Sequence, residues 1–115
     1  MYRRGDIILI PIPFTDLKAT KVRPVVVISN DQYNGETSDV LVSAITSNLS
    51  DKKYSIHIGN SDLKEGALIK PSLIRADKIY SLNSSIVKKK IGRCNAEVLE
   101  MINIEIEKLC RWSDE

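Results

Sequence analysis

Two polar positions break the pattern of an otherwise apolar chain. Arg23 stands directly before Pro24 and the run Val25-Val26-Val27-Ile28, and Thr46 closes the run Val40 to Ile45, with Ser47 and Asn48 behind it. A planar guanidinium can hold two phosphoryl oxygens at once, and a hydroxyl can bond another. Taken alone, Arg23 is more simply an edge residue before a strand, and Thr46-Ser47-Asn48 an ordinary turn. Lys70, Ser72 and Arg75 form a third polar set. Lys70 and Ser72, two residues apart, share a face if the strand there is regular. Lys88, Lys89, Lys90 and Arg93 make the densest basic run, a solvated edge with at most weak phosphate contact. His57 is the only histidine, and Cys94 and Cys110 lie 16 residues apart, so no metal site is expected. No glycine-rich phosphate loop and no Ser-His-Asp or Cys-His signature is present. Strand alternation turns His57 to a polar face, away from an acid–base role.

The elements that must position these residues are mostly strands. Asp6 to Pro13 reads as a strand whose Pro11 and Pro13 leave two N–H groups missing on one edge, so that end is expected to be exposed or irregular. Phe14 to Val22 reads as a loop. Arg23 to Ser29 is a strand buried on both faces. Asn30 to Asp39, with Asn-Asp and Asn-Gly, reads as a turn region. Val40 to Thr46 is again a strand. In Lys53 to Ile58, Tyr54, Ile56 and Ile58 share one face while Ser55 and His57 share the other. Asn60 to Gly66 reads as a loop, Ala67 to Tyr80 as one or two strands broken near Pro71, and Ile86 to Ile91 as a weaker strand. From Ala96 the period changes: Val98, Ile102, Ile106 and Leu109 form an amphipathic helical stripe, with Asn95 as N-cap, Glu97 and Glu100 near the start and Lys108 and Arg111 near the end. The expectation is a mainly β (α+β) protein, five to seven short strands and one terminal helix, a small barrel or strongly bent antiparallel sheet forming one domain over residues 1–115.

Composition sets bounds on this reading. The 115 residues are 43% hydrophobic with one Phe and one Trp, so the core rests on Ile, Val and Leu. The net charge of +2 is uneven: residues 1–93 carry 15 Lys/Arg against 9 Asp/Glu, and residues 94–115 carry 2 against 6. A basic body with an acidic end is compatible with a polyanion partner, and equally with a mixed solvated surface. Both cysteines read as reduced, partly buried thiols, and the apolar run Ile7 to Phe14 is too short to span a bilayer, so a cytoplasmic protein with no membrane partner and no cofactor is expected.

The ordered blocks Arg4-Gly5-Asp6 with Ile7 to Ile10, Arg23-Pro24 with Val25 to Asn30, Ala44-Ile45-Thr46-Ser47, and Gly66 to Ala76 resemble the MazF/PemK family of toxins. That family opens with R-G-[DE] and a strand, continues through a loop to R-P and an apolar strand, and ends in a helix. The resemblance covers nearly the whole chain. It implies the small SH3-like barrel shared by the MazF, PemK and CcdB toxins. Arg23 and Thr46 fall on the family's catalytic arginine and Thr/Ser; Lys70, Ser72 and Arg75 fall on the strand that supplies further RNA contacts. Ser47 and Asn48 beside Thr46, and Thr15 and Asp16 in the first loop, complete the expected RNA-binding set. The chain departs from the family at Ser72, where PemK-like members carry an acidic residue. It also departs at Thr15-Asp16-Leu17-Lys18, where many members carry G-x-E-Q.

The resemblance implies an endoribonuclease toxin of a type II toxin–antitoxin system. It would cleave single-stranded mRNA without metal by attack of the ribose 2′-OH, giving a 2′,3′-cyclic phosphate and a 5′-OH. Arg23 is expected to stabilise charge on the phosphoryl group, Thr46 to bond a phosphoryl oxygen or place the 2′-OH, and Asp16 is a candidate proton acceptor. A homodimer and a MazE/PemI-like antitoxin with a disordered acidic tail are the implied partners. The competing readings are a CcdB-like toxin that binds DNA gyrase, and an inactive RNA- or DNA-binding relative.

Overall fold

The computed structural model describes residues 1–13, 20–50 and 53–112. Its order is β1 (Asp6–Pro13), β2 (Thr20–Val27), α1 (Asp31–Glu36), β3 (Asp39–Thr46), β4 (Ser55–Ile58), β5 (Leu63–Gly66), β6 (Ser72–Asn83), β7 (Lys89–Cys94) and α2 (Ala96–Cys110). All seven strands join one antiparallel sheet in the order β4-β6-β3-β2-β1-β7-β5. The sheet is curled into a half-barrel, and α2 packs against β4 and β6.

Strand alternation divides the apolar residues between two faces. Ile7, Val26, Ile45, Ile56, Ile58, Ile74 and Ala76 meet Val98 and Ile102 of α2 in one core. Ile8, Ile10, Val25, Val27, Val40 and Val42 form a second, flanked by Tyr2, Leu82 and Val87. Val25, Val26 and Val27 are almost fully buried, which is why that run carries no polar residue. Burying each such side chain stabilises the fold by about 1.5–3 kcal/mol.

The expected prolines explain where the sheet stops. The Lys88 N–H donates to the Leu9 carbonyl at 2.8 Å, so the odd-numbered backbone groups of β1 point towards β7. Pro11 and Pro13 have the same parity and no N–H, and β7 pairs with β1 only from Asp6 to Leu9.

Arg4-Gly5-Asp6 is a structural joint. Gly5 adopts φ +94°, a conformation that favours glycine. Its N–H donates to the Val27 carbonyl (2.7 Å) and its carbonyl accepts from Cys94 N–H (2.9 Å). Arg4 reaches α2, donating to Asn103 Oδ1 at 2.6 Å. Asp6 is buried; Oδ2 accepts the Arg3 N–H at 2.8 Å, and Lys90 Nζ lies 3.3 Å from Oδ1 and 2.6 Å from Glu65. The hydrogen bond to Glu65 is the larger cause that raises the Lys90 pKa. One lysine of the basic run thus neutralises a buried carboxylate.

Several sequence expectations are corrected. Thr20 to Val22 belong to β2, because they pair with Pro13 to Pro11. The expected turn at Asn30 to Asp39 contains α1: Asn30 Oδ1 accepts the Tyr33 N–H at 2.8 Å and caps it, and buried Asn34 ties it to the Tyr2 and Ser29 carbonyls. Asn60 to Gly66 contains β5, paired with β7. Tyr54 has φ +61° and stands outside β4. The weak strand is shifted to Lys89–Cys94. Cys110 is exposed, whereas Cys94 is buried. The terminal helix holds as expected, with Asn95 Oδ1 accepting the Val98 N–H at 3.0 Å, although Leu109 is exposed. No helix among the described residues is long and apolar enough to cross a membrane.

Three measurements test this account. Asn95→Ala removes the α2 cap and should lower stability by about 1 kcal/mol in urea unfolding. Gly66→Ala should cost more: Gly66 has φ +80°, and an added Cβ would meet the Ile91 carbonyl oxygen at 2.2 Å. Burial pushes the Cys94 thiol up to about 12, so a thiol reagent at pH 8 should label Cys110 alone in the native protein and both cysteines in denaturant. Equal native labelling of the two would contradict the burial of Cys94.

Candidate functional site

The site begins with a missing hydrogen. The Ile28 N–H donates to the Leu41 carbonyl at 2.8 Å, so even-numbered backbone groups of β2 face β3. The ladder runs Val27↔Val42, Val26↔Ser43, Val25↔Ala44 and stops. The next pair in register would be Pro24 with Ile45, and Pro24 has no N–H to give. One step beyond, the same register sets Arg23 opposite Thr46. Their side chains therefore leave the same face at the point where the two strands cease to be bonded.

A cavity of about 260 Å³ occupies this point, lined by Arg23, Pro24, Val25, Ala44, Ile45, Thr46 and Tyr80. A second, of about 310 Å³, lies across the strand ends; Arg23, Ser47, Lys70 and Ser72 line it with Leu9, Val22, Leu68, Ile69 and others. Arg23 is exposed and belongs to both. The structure thus brings Arg23 and Thr46 together on one side, and Arg23, Ser47, Lys70 and Ser72 on the other.

The local bonding gives each group a role it can play. Thr46 Oγ1 accepts the Asn48 N–H at 3.1 Å, which leaves its own proton to donate outward. Asn48 in turn accepts from Ser50 N–H (3.1 Å) and Oγ (2.8 Å), so its side chain caps the turn and is already engaged. Ser72 is buried and donates to the Lys70 carbonyl at 3.0 Å. Lys70 itself lies before β6 and not on it, because Pro71 starts the strand at Ser72; its side chain is exposed. The shared strand face expected for Lys70 and Ser72 is therefore replaced by a shared cavity.

Arg75 lines neither cavity. It pairs with Ala44, so its side chain leaves the face that carries Thr46. Its Nε and Nη2 donate to the two carboxylate oxygens of Asp77 at 3.0 and 2.9 Å. That hydrogen bonding is the main cause that lowers the Asp77 pKa and keeps it ionised. Thr15 and Asp16 lie outside the described residues. His57 is exposed and sits near Met101, Ile104 and Glu105 of α2, apart from Arg23 and Thr46.

Two residues of this face escape the sequence reading. Asp77 follows Arg75 at the two-residue spacing that puts side chains on one strand face, a signal that was available. Tyr80 gave none. Between Ser43↔Ile79 and Ala44↔Arg75 the register shifts by three residues on β6, and such an irregularity re-aims side chains in a way that alternation does not foretell. Among the described residues no group of three or more His, Cys, Asp or Glu is placed to hold a metal ion.

Known proteins give this geometry its context. Residues 3–110 match the family described as PemK-like, MazF-like toxin of type II toxin-antitoxin system. The chain is 30% identical over 108 residues to the Endoribonuclease MazF of Staphylococcus saprophyticus, across 93% of this chain and 89% of that one. An endoribonuclease from a mycobacterial species, solved in complex with its cognate antitoxin, superposes with a TM-score of 0.79 at 18% identity, covering 98% of this chain and all of the other. The MazE-MazF complex of Deinococcus radiodurans gives 0.73 at 19% identity and 97% coverage of both chains. With a match along nearly its whole length, the chain belongs to the PemK/MazF family of toxins of type II toxin-antitoxin systems.

Proposed function

We propose that this protein is an endoribonuclease toxin that cleaves single-stranded RNA without a metal ion, at the cavity shared by Arg23 and Thr46. The observation that carries the reading is the placement of a guanidinium and an outward-donating hydroxyl on one face where the β2–β3 ladder ends. Family membership and the endoribonuclease relative support the reaction class.

In this reaction the ribose 2′-oxygen bonds to the adjacent phosphorus and the bond from phosphorus to the 5′-oxygen breaks. The 2′-OH loses its proton, the 5′-oxygen gains one, and the products are a 2′,3′-cyclic phosphate and a 5′-OH. Negative charge grows on the non-bridging oxygens in between. Arg23 answers that charge, since a guanidinium remains protonated in proteins and offers a fork that fits two phosphoryl oxygens. It chiefly stabilises the transition state and does not serve as base. Thr46 donates its hydroxyl proton to a phosphoryl oxygen. Lys70 and Ser47 lie on the other side of Arg23, where they meet the backbone of the flanking RNA. Ser72 shapes the cavity wall, because its hydroxyl is committed to Lys70. Asp16, which lies outside the described residues, is the proposed proton acceptor; Asp77 is paired with Arg75 and lines neither cavity.

The substrate is unpaired RNA, whose base edges are accessible and whose backbone can bend to the attack geometry. The protein acts as a homodimer in the cytoplasm, as one domain. Exposed Met101, Ile104 and Leu109 of α2 offer apolar surface to a second copy. A cognate MazE/PemI-like antitoxin covers the cleft with an acidic tail, in keeping with the relatives solved in complex with theirs.

The test is digestion of a long unstructured RNA in EDTA with mapping of the new 5′ ends. The wild type should give specific cuts bearing 5′-OH. Arg23→Ala should lose roughly a hundredfold or more in rate, the cost typical of one oxyanion contact. Thr46→Val, which keeps the shape and removes the donor, should fall by a similar order. Full activity in Arg23→Ala would exclude the assignment. Absence of cleavage across several RNAs would favour a gyrase-binding or inactive relative. Sedimentation at micromolar concentration should show a dimer.

A further inference from the structure

We infer that Tyr80 is the stacking platform for a nucleobase next to the scissile phosphate, and so a residue that binds and positions the RNA whatever that base is; this rests on the endoribonuclease reading above. The phenol ring is half exposed, at 49%, on a strand whose neighbours at the same level are buried. Tyr80 pairs with Val42, which is fully buried, while its own side chain lines the cavity of Arg23 and Thr46.

The spacing suits one nucleotide. Val42 and Thr46 are four residues apart on β3, or about 13 Å of strand. Tyr80 starts from the Val42 level and lines the same cavity as Arg23 and Thr46. The remaining wall is Pro24, Val25, Ala44 and Ile45. These are apolar and carry no side-chain donor or acceptor that would read a base edge. A cavity with phosphate-binding groups at one end and an aromatic face over apolar walls at the other fits a nucleotide with its phosphate at Arg23 and its base on Tyr80. Aromatic faces hold bases by stacking. Among the described residues Arg23 is the one charged group lining this cavity, so the base there is held by stacking and shape.

The irregularity in β6 supplies the reason Tyr80 reaches this position. The three residues intercalated between Arg75 and Ile79 move the following segment along β3. Arg75 with Asp77 stands on one side of the shift and Tyr80 on the other. The same device therefore sets the ion pair apart from the aromatic face that lines the cleft.

The experiment uses short RNAs containing a mapped cleavage site, with an abasic nucleotide placed in turn at each position beside the cut. In the wild-type protein one abasic position should raise KM by about five- to hundredfold, the range for losing one stacked base. Tyr80→Ala should raise KM on intact RNA similarly with little change in kcat, and should lose the penalty at that one abasic position alone. Tyr80→Phe should behave as wild type, and Tyr80→Leu should fall between. A Tyr80→Ala protein equal to wild type, or a Tyr80→Phe protein as impaired as Tyr80→Ala, would overturn the stacking role while the endoribonuclease stands. A wild-type protein that cuts no RNA would overturn both.

Discussion

The candidate site depends on one absent donor. Pro24 occupies the position in β2 whose N–H should face Ile45, and the β2–β3 ladder ends one pair earlier. Had the ladder continued, Arg23 and Thr46 would be two neighbouring side chains on a closed sheet. With the bond missing, a cavity opens between strand ends that are still held in register by the three pairs behind them. Those pairs are anchored by the Val25-Val26-Val27 run, buried on both faces. The site thus combines a rigid base with an unbonded tip. Two polar groups are thereby placed side by side without ordering a long loop, which would carry its own entropic cost.

The second irregularity, in β6, has a different physical origin and a complementary effect. The pairing with β3 skips three residues between Arg75 and Ile79. On the near side of the shift Arg75 turns to Asp77, and each neutralises the other. On the far side Tyr80 is carried to the cavity of Arg23. Charge on this face is therefore sorted. Arg23 has no carboxylate partner among the described residues, while Arg75 is matched and Lys90 is committed to Asp6 and Glu65. The basic character of residues 1–93 overstates the charge on offer to a polyanion, because several of these side chains support the fold.

The residues that made the family visible divide in the same way. Arg4, Gly5 and Asp6 join the start of β1 to β7, β2 and α2, and their spacing follows from a positive φ and a buried carboxylate. Arg23-Pro24 and Thr46 are brought together by a strand register and are, in the proposed function, the reacting pair. A motif match by itself does not separate the two kinds. Hydrogen-bond partners do, since a structural residue has its polar atoms satisfied within the protein.

What the sequence determined by itself is what depends on short range. The strand Asp6–Pro13, the apolar strands around Val26 and Val42, and the helix from Ala96 with its Asn95 cap follow from alternation, helical period and capping within a few residues. The proximity of Arg23 and Thr46 was legible through the family pattern. What it could not give was anything set by a partner strand. The docking of α1 through Asn34 onto the Tyr2 carbonyl, β5 between Asn60 and Gly66, and the entry of Thr20–Val22 into β2 arise from contacts made at a distance. Leu63–Gly66 has no alternation of its own and becomes a strand because β7 offers it an edge. Lys70 missed the strand face because Pro71 excludes it, and Tyr80 entered the cleft because β6 slips against β3. Alternation assigns a side chain to a face only while the ladder is regular, so the positions that carry the site's detail, at a broken ladder and a shifted one, were decided by the tertiary structure.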